Sequence, residues 1–304
     1  MTDTLVKEVS QKIPGLAVRS GEPMKNHCSF RIGGPARAMA FPKSERDMDG
    51  LLCFLHEKGE RPLIIGNGTN LLIPDAGTKR FVIKLGEGFD EVEQADGEHL
   101  LAQSGITLAR LAVRARELSL AGLEFAHGIP GSLGGAVYMN AGAYGGEMKD
   151  VLESVTYIDG ETRKIERREA ADLDFSYRHS FFSGREDIIL SAVLRLEHGD
   201  EDVIAEKMRE LAEKRRSSQP LDKPSAGSTF KRPKRGYAAA LIDECGLKGY
   251  MVGGAQVSPK HAGFIVNNGG ASFLDVLRLM AHIEETVLRE KGVVLEPEVK
   301  IITD

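Results

Sequence analysis

Nineteen residues, "GIPGSLGGAVYMNAGAYGG" at 128–146, hold seven glycines, well above the density of 34 in 304 for the whole chain. Glycine weakens helices and strands alike, so such a run predicts a place where something must approach bare backbone. A second stretch, "GNGTNLL" at 66–72, has the same character. Turns of this kind expose successive amides that can form a nest for an anion, and Thr69 and Asn70 add side-chain donors. Asn140 and Tyr144 place an amide and a phenol in the otherwise bare second cluster. A flat aromatic cofactor joined to a diphosphate suits both clusters. Either cluster alone is also what a set of tight turns requires. Two of them, each ending a β-rich segment, favour the binding role.

A dinucleotide fingerprint of the doubly wound type is excluded. It needs a helix directly after its glycines, so that the pyrophosphate sits on the helix N-terminus. Here "LLIPDAG" follows, too short and too bounded by Pro and Gly to form one.

The elements that must position these loops follow from periodicity and caps. "MTDTLVKEVSQKIPGL" is a short amphipathic pattern without an apolar signal core. "ARAMAFP" reads as a strand, and "SERDMDGLLCFLHEKG" as a Ser-capped helix with Met48, Leu51, Leu52 and Leu55 on one face. "RPLII" and "RFVIKL" are strands on either side of the first glycine cluster. "ITLARLAVRARELSLAG" is a capped helix leading into the second. "SVTYIDGETRKIER" predicts a hairpin around Asp159-Gly160, and "DIILSAVLRLE" a strand. The charged helix "DVIAEKMRELAEKRRSS" then marks a boundary near residue 200. Beyond it come the helix "YAAALIDECGLKG", the strand "GFIVN", the Ser-capped helix "SFLDVLRLMAHIEETVLREKG" and the strand "VVLEPEVKII".

Bulk properties bound the function. A formal charge of −5 argues against a protein whose affinity rests on neutralising nucleic-acid phosphates. No run of apolar residues is long enough to span a membrane. Cys28, Cys53 and Cys245 lie far apart without paired spacing, which predicts reduced thiols and a cytoplasmic location. The eight histidines show no ligand spacing, so no metal site is expected.

"SFRIGGPA", "GNGTNLLI", "GLEFAHGIPGSLGGAVYMNAGAYGGE", "YRHSFF", "PSAGSTFKRP", "GGAQVSPKHAGFIVN" and "LEPEVKII" occur in this order. Together they resemble the UDP-N-acetylenolpyruvoylglucosamine reductase family over roughly residues 15–302. The resemblance implies an α+β chain: an FAD-binding domain of the vanillyl-alcohol-oxidase (PCMH) type in two subdomains, 1–80 and 81–199, plus a C-terminal α+β substrate-binding domain, 200–304. It implies non-covalent FAD, NADPH as hydride donor, UDP-N-acetylenolpyruvoylglucosamine as substrate in peptidoglycan precursor synthesis, and a monomer. The 50-residue interval from Arg178 to Ser228 resembles the family's second type, without an inserted substrate-capping loop. Lys300 stands where arginine is frequent, Ser218 where lysine is common, and Asn67 where glycine is.

Carried onto this chain, the resemblance assigns FAD to Ile65, Gly66, Asn67, Gly68, Thr69, Asn70 and Leu71, and to Gly128, Pro130, Gly131, Ser132, Gly134, Gly135, Asn140, Ala141 and Gly142. It assigns catalysis to Arg178, Ser228 and Glu298. Reducing a vinyl ether conjugated to a carboxylate takes a hydride at the terminal carbon and a proton at the carbon beside the carboxylate. The enolate between them needs fixed cations and donors. The planar fork of Arg178 suits carboxylate oxygens. By resemblance Ser228, preceded by Ala226 and Gly227, is the proton donor. Glu298 would hydrogen-bond near the enolate, or act as an acid if burial raises its pKa. Tyr177, Arg215, Lys231, Arg232 and Gln256 are the substrate-binding candidates.

Each has a plainer use: Ser228 in a turn, Arg178 capping a loop, Glu298 at a strand edge, the lysine and arginines as solvated charge. Two other functions stay open at this level. A flavin-dependent oxidase of the same superfamily would often carry a covalent flavin link, for which His127 is near enough in sequence. A binding module would need no proton donor.

Overall fold

A computed structural model describes residues 2–304, with side chains from Thr4 onward. Three sheets organise the chain. The first has the order Ala17–Ser20, Ala36–Phe41, Thr78–Lys84, Leu63–Ile65; its outer strand Ala17–Ser20 is antiparallel and the others are parallel. Helices α1 (Thr2–Lys12) and α2 (Glu45–Glu57) cover it. Val9 of α1, Ile13 just after it, and Met48, Leu51, Phe54 and Leu55 of α2 pack in one core with Phe81 and Ile83. Phe54 takes the inward place expected of Leu52, which is half-buried. The Ser44 hydroxyl caps α2 by accepting the Asp47 amide, while the Asp47 carboxylate accepts from the Lys43 amide.

The second sheet is antiparallel, in the order Ile165–Glu169, Leu152–Ile158, Ile188–Arg195, His99–Gln103, Val92–Gln94. It carries α3 (Leu108–Glu117) and the one-and-a-half-turn α4 (Leu133–Tyr138), which lies inside the second glycine cluster. The expected hairpin forms, but its connection is wider than Asp159-Gly160. Asp159 pairs with Lys164, its carboxylate accepts the Glu161 and Thr162 amides, and the left-handed residue is Arg163. Gly160 is needed for space instead: a Cβ there would stand 2.8 Å from the Glu186 carbonyl carbon. Strand Ile188–Arg195 also gives Ile188 and Leu190 to the core of the first sheet, so the two layers share a wall.

Helix α5 (Glu201–Ser218), capped by Asp200, buries Ile204 and Met208 in the core of the second sheet. The helix that opens the C-terminal third is therefore seated on what precedes it. The third sheet runs Ser225–Ser228, Phe264–Asn267, Ala255–Val257, Met251–Val252, all antiparallel, under α6 (Ala238–Glu244) and α7 (Phe273–Lys291). Phe30, Ile32 and Leu72 from the N-terminal part complete its core.

The expected strand "VVLEPEVKII" is mostly not one. Only Lys300–Ile301 form a ladder, parallel to Leu71–Leu72. Pro297 has no amide to donate, and its stretch meets the chain near Phe230 through a single bridge.

α7 shows how local chemistry fixes an element. Ser272 and Asp275 exchange hydrogen bonds in a capping box, and Gly292 closes the helix at φ 64°. Ser272→Ala should lower stability by about 1 kcal/mol in urea unfolding, with an unchanged denaturant slope.

Candidate active site

The two glycine clusters meet. A Cβ on Gly66 would lie 2.0 Å from the Ser132 hydroxyl, and the Thr69 hydroxyl is the nearest group, 3.8 Å away, to a Cβ on Gly131. Several glycines serve this packing and not a ligand. Gly68 has φ 62° and backs onto the His27 carbonyl at 2.1 Å from its would-be Cβ. Gly134 faces Ser104, Gly142 faces Gly146 and Glu147, and Gly146 faces the Phe125 ring. Gly131 and Gly135 differ: a Cβ there would meet nothing closer than 3.8 Å, an ordinary contact, so packing within the chain does not demand glycine at either position.

The first loop brings unmet hydrogen-bonding capacity beside them. Among the described residues, nothing accepts from the amides of Gly66, Asn67, Gly68, Thr69 or Asn70. Five successive unpaired N–H groups beside bare glycine backbone fit the phosphates of a dinucleotide. Gly131→Ala should therefore weaken flavin retention while leaving the unfolding transition of the apoprotein in place. Gly68→Ala should lower that transition itself by several degrees, because its Cβ meets backbone. The flavin-to-protein absorbance ratio and apoprotein melting curves separate the two effects.

Arg178 sits in a tight hairpin turn. Ser176 and His179 exchange both backbone hydrogen bonds at 3.2 Å, leaving Tyr177 and Arg178 as the two turn residues. Arg178 is held at φ 54°, a position that favours glycine. Its Nε donates to Glu298 Oε1 at 2.7 Å and its Nη2 to the Gly142 carbonyl at 3.2 Å. Both partners of this pair are largely withdrawn from solvent, at 20% and 12% side-chain exposure. Burial pushes the Glu298 carboxyl above its ordinary value, with Arg178 and Lys231 pulling against it. The Glu298 amide donates to the Thr229 carbonyl at 2.8 Å, which sets this carboxylate beside the neighbour of Ser228. Ser228 closes the edge strand Ser225–Ser228, and its half-buried hydroxyl has no hydrogen-bond partner among the described residues. Asn70 joins the loops to this centre, donating to the Glu298 carbonyl at 3.1 Å.

The other candidates divide. The Tyr177 hydroxyl accepts the Arg232 amide at 3.1 Å, and its ring lies 5.1 Å from the Arg178 guanidinium. Arg232 itself covers the Tyr237 ring, and Lys231 pairs with Glu296. Arg215 lies along Gly128, and its Nη1 is buried without a partner. Burial works against its charge and the Tyr144 hydroxyl is the group that favours it. Gln256 is turned into its own hairpin, where its amide donates to the Gly249 carbonyl at 3.2 Å.

Asn140, expected to contact a cofactor, is fully buried. Its amide nitrogen donates to Glu147 and to the Ser176 carbonyl, and its oxygen accepts the Lys149 amide. Both polar atoms of the side chain are thus engaged within the protein. Nothing in the sequence marks this inward turn, because an Asn in a glycine-rich loop looks the same facing either way. His127 lines a groove with Arg116 and α5, where burial and the arginine hold its imidazole below the usual pKa. Among the described residues there is no cluster of His, Cys, Asp or Glu that could hold a metal, and no helix long and apolar enough to cross a membrane.

Comparison with known proteins agrees with this geometry. Residues 36–166 match a model described as an FAD binding domain. Residues 219–302 match the C-terminal domain of UDP-N-acetylenolpyruvoylglucosamine reductase. The chain is 49% identical to the UDP-N-acetylenolpyruvoylglucosamine reductase of Agathobacter rectalis, with 99% of each chain covered. It is 45% identical to that of Caldanaerobacter subterraneus subsp. tengcongensis at the same coverage. The crystal structure of the Thermus caldophilus enzyme superposes with a TM-score of 0.80 at 32% identity, covering 95% of this chain and 99% of the other. A glucose dehydrogenase, Phl p 4.0202, matches at a TM-score of 0.50 and 15% identity over 65% of this chain, which shows a shared fold alone. The chain belongs to the UDP-N-acetylenolpyruvoylglucosamine reductase family and carries its FAD-binding domain.

Proposed function

We propose that this chain reduces the enolpyruvyl ether of UDP-N-acetylenolpyruvoylglucosamine, with Arg178, Ser228 and Glu298 acting on the three-carbon unit. The observation that carries the reading is the buried Arg178–Glu298 pair tied through Thr229 to the free hydroxyl of Ser228. The amide run Gly66–Asn70 and the glycines Gly131 and Gly135, which internal packing does not require, would hold FAD. When bound, FAD supplies hydride, taken from NADPH, to the terminal carbon of the ether. Arg178 holds the substrate carboxylate in its planar fork and places positive charge where the enolate oxygens gather electrons. Ser228 gives its proton to the carbon beside the carboxylate. A hydroxyl is a weak acid, but the enolate carbon is strongly basic and the cations at this junction favour the alkoxide left behind. Glu298 keeps Arg178 aligned as its buried ion-pair partner, and burial, which pushes its carboxyl up, favours its taking up a proton once the substrate carboxylate engages Arg178.

The unpaired Arg215 supports a role in gripping a diphosphate, of the sugar nucleotide or of NADPH. Lys231, Arg232 and Tyr177 would line the substrate side of the site in this reading. Gln256 would have to leave the Gly249 carbonyl to join them. Three sheets support three units as in the expected 1–80, 81–199 and 200–304, although the first sheet runs on to Lys84 and α5 packs in the core of the second. Three unpaired cysteines support a cytoplasmic location, and the family resemblance a monomer.

Stopped-flow absorbance tests the proposal. NADPH should bleach the bound flavin, and the enolpyruvyl sugar nucleotide should restore its colour under anaerobic conditions. Restoration by oxygen but not by the sugar nucleotide would favour an oxidase instead. Flavin that stays with the denatured chain would point to a covalent link.

A further inference from the structure

We infer that Asn140 is the positioning residue of Arg178: it clamps the turn that carries the guanidinium and thereby sets where the fork meets substrate. This rests on the role given to Arg178 above. The turn is costly on its own account. Asp174 and Arg178 both adopt left-handed backbone, at φ 45° and 54°. Each such non-glycine residue is strained and persists only where its surroundings over-determine it.

Those surroundings come from the second glycine cluster. Asn140 donates to the Ser176 carbonyl at 3.0 Å, the residue whose two backbone bonds to His179 define the turn. On the far side of the turn, the buried Ser180 hydroxyl donates to the Tyr138 carbonyl at 2.7 Å. Arg178 itself reaches the Gly142 carbonyl. Tyr138, Asn140 and Gly142 thus alternate along one short segment and hold Ser180, Ser176 and Arg178 in turn.

Asn140 is the anchor of the three. It is itself left-handed at φ 42°, a conformation asparagine tolerates better than other side chains. Its amide is fixed from the opposite side by the Glu147 carboxylate at 2.9 Å and the Lys149 amide at 3.0 Å. With every polar atom engaged, the side chain has one orientation, and the Ser176 carbonyl has one place to go. The segment that packs the second glycine cluster therefore also sets the cation that meets the substrate. Loss of the clamp lets Arg178 relax toward ordinary backbone, and a displacement near 1 Å costs on the order of 10²-fold in rate.

The test uses Asn140→Ala and Asn140→Asp as flavin-loaded enzymes. Asn140→Asp keeps the shape and the acceptor for Lys149 but removes the donor to Ser176 and to Glu147, and the two facing carboxyls stay together by sharing one proton. Both should retain flavin and be reduced by NADPH within about threefold of the parent. Reoxidation by the enolpyruvyl sugar nucleotide should slow on the order of 10²-fold. The decisive arm is the double variant: added to Arg178→Ala, Asn140→Ala should cause no further slowing, because the residue acts through Arg178. An independent, additive loss overturns the inference. So does loss of flavin in both Asn140 variants, which assigns the residue to the scaffold. If Arg178→Ala alone leaves reoxidation unchanged, the role of Arg178 fails first, and the clamp with it.

Discussion

Ser228→Ala is expected to leave NADPH-driven flavin reduction intact and to suppress reoxidation by the enolpyruvyl sugar nucleotide by 10² to 10⁴-fold, on the order of a general acid's contribution. The hydroxyl bonds to no described protein group and stands half-exposed at the end of its strand, so its removal leaves no buried partner unpaired. Packing loss is thus a poor explanation for any large effect. Only one of the two half-reactions has a carbon to protonate, and the prediction follows from that asymmetry. Stopped-flow traces of each half-reaction at one pH decide it. An equal loss in both would make Ser228 part of the pocket wall and not the proton donor. Solvent deuterium should slow only the reoxidation step in the parent enzyme, and this sensitivity should change in the variant.

How far this site could be read from sequence depends on which contacts are local. Caps are local, and Ser44, Thr107 and Ser272 all start the helices that their spacing predicts. Glycine density was legible as close approach, but not what approaches. Gly66 and Gly134 meet Ser132 and Ser104, far away in sequence, while Gly131 and Gly135 have only ordinary contacts. Asn140 shows the same limit, since its inward orientation depends on the Ser176 carbonyl, 36 residues on. The Arg178–Glu298 pair spans 120 residues, so no periodicity can reveal it; only the ordered motifs shared with a family placed the two in one site. The stretch before Lys300 misled because its apolar residues alternate like a strand, whereas Pro297 cannot sustain a ladder.

Arg178→Ala should produce a loss of stability that depends on pH, in addition to a large loss of activity. In the parent, the guanidinium 2.7 Å from Glu298 offsets the cost of burying that carboxylate. Without it, the remaining nearby cation is Lys231, already engaged by Glu296, and burial pushes the Glu298 carboxyl further up. In the unfolded chain the group returns to about 4.3. With the folded value above the unfolded one, the folded state binds the proton more tightly. Its stability is then fully present below the unfolded value and falls as pH rises toward the folded value. The variant should therefore resemble the parent most closely near pH 4.5 and fall behind it progressively toward pH 8. There the deficit approaches the 3–5 kcal/mol typical of a buried charge stripped of its partner, about what ionising Glu298 would cost. Urea unfolding at the two pH values measures the difference. Adding Glu298→Gln should abolish the pH dependence while leaving the enzyme inactive toward the enolpyruvyl ether. A deficit equal at both pH values would mean that Arg178 supports the fold through its turn and the Gly142 carbonyl, and that Glu298 is not ionised beside it.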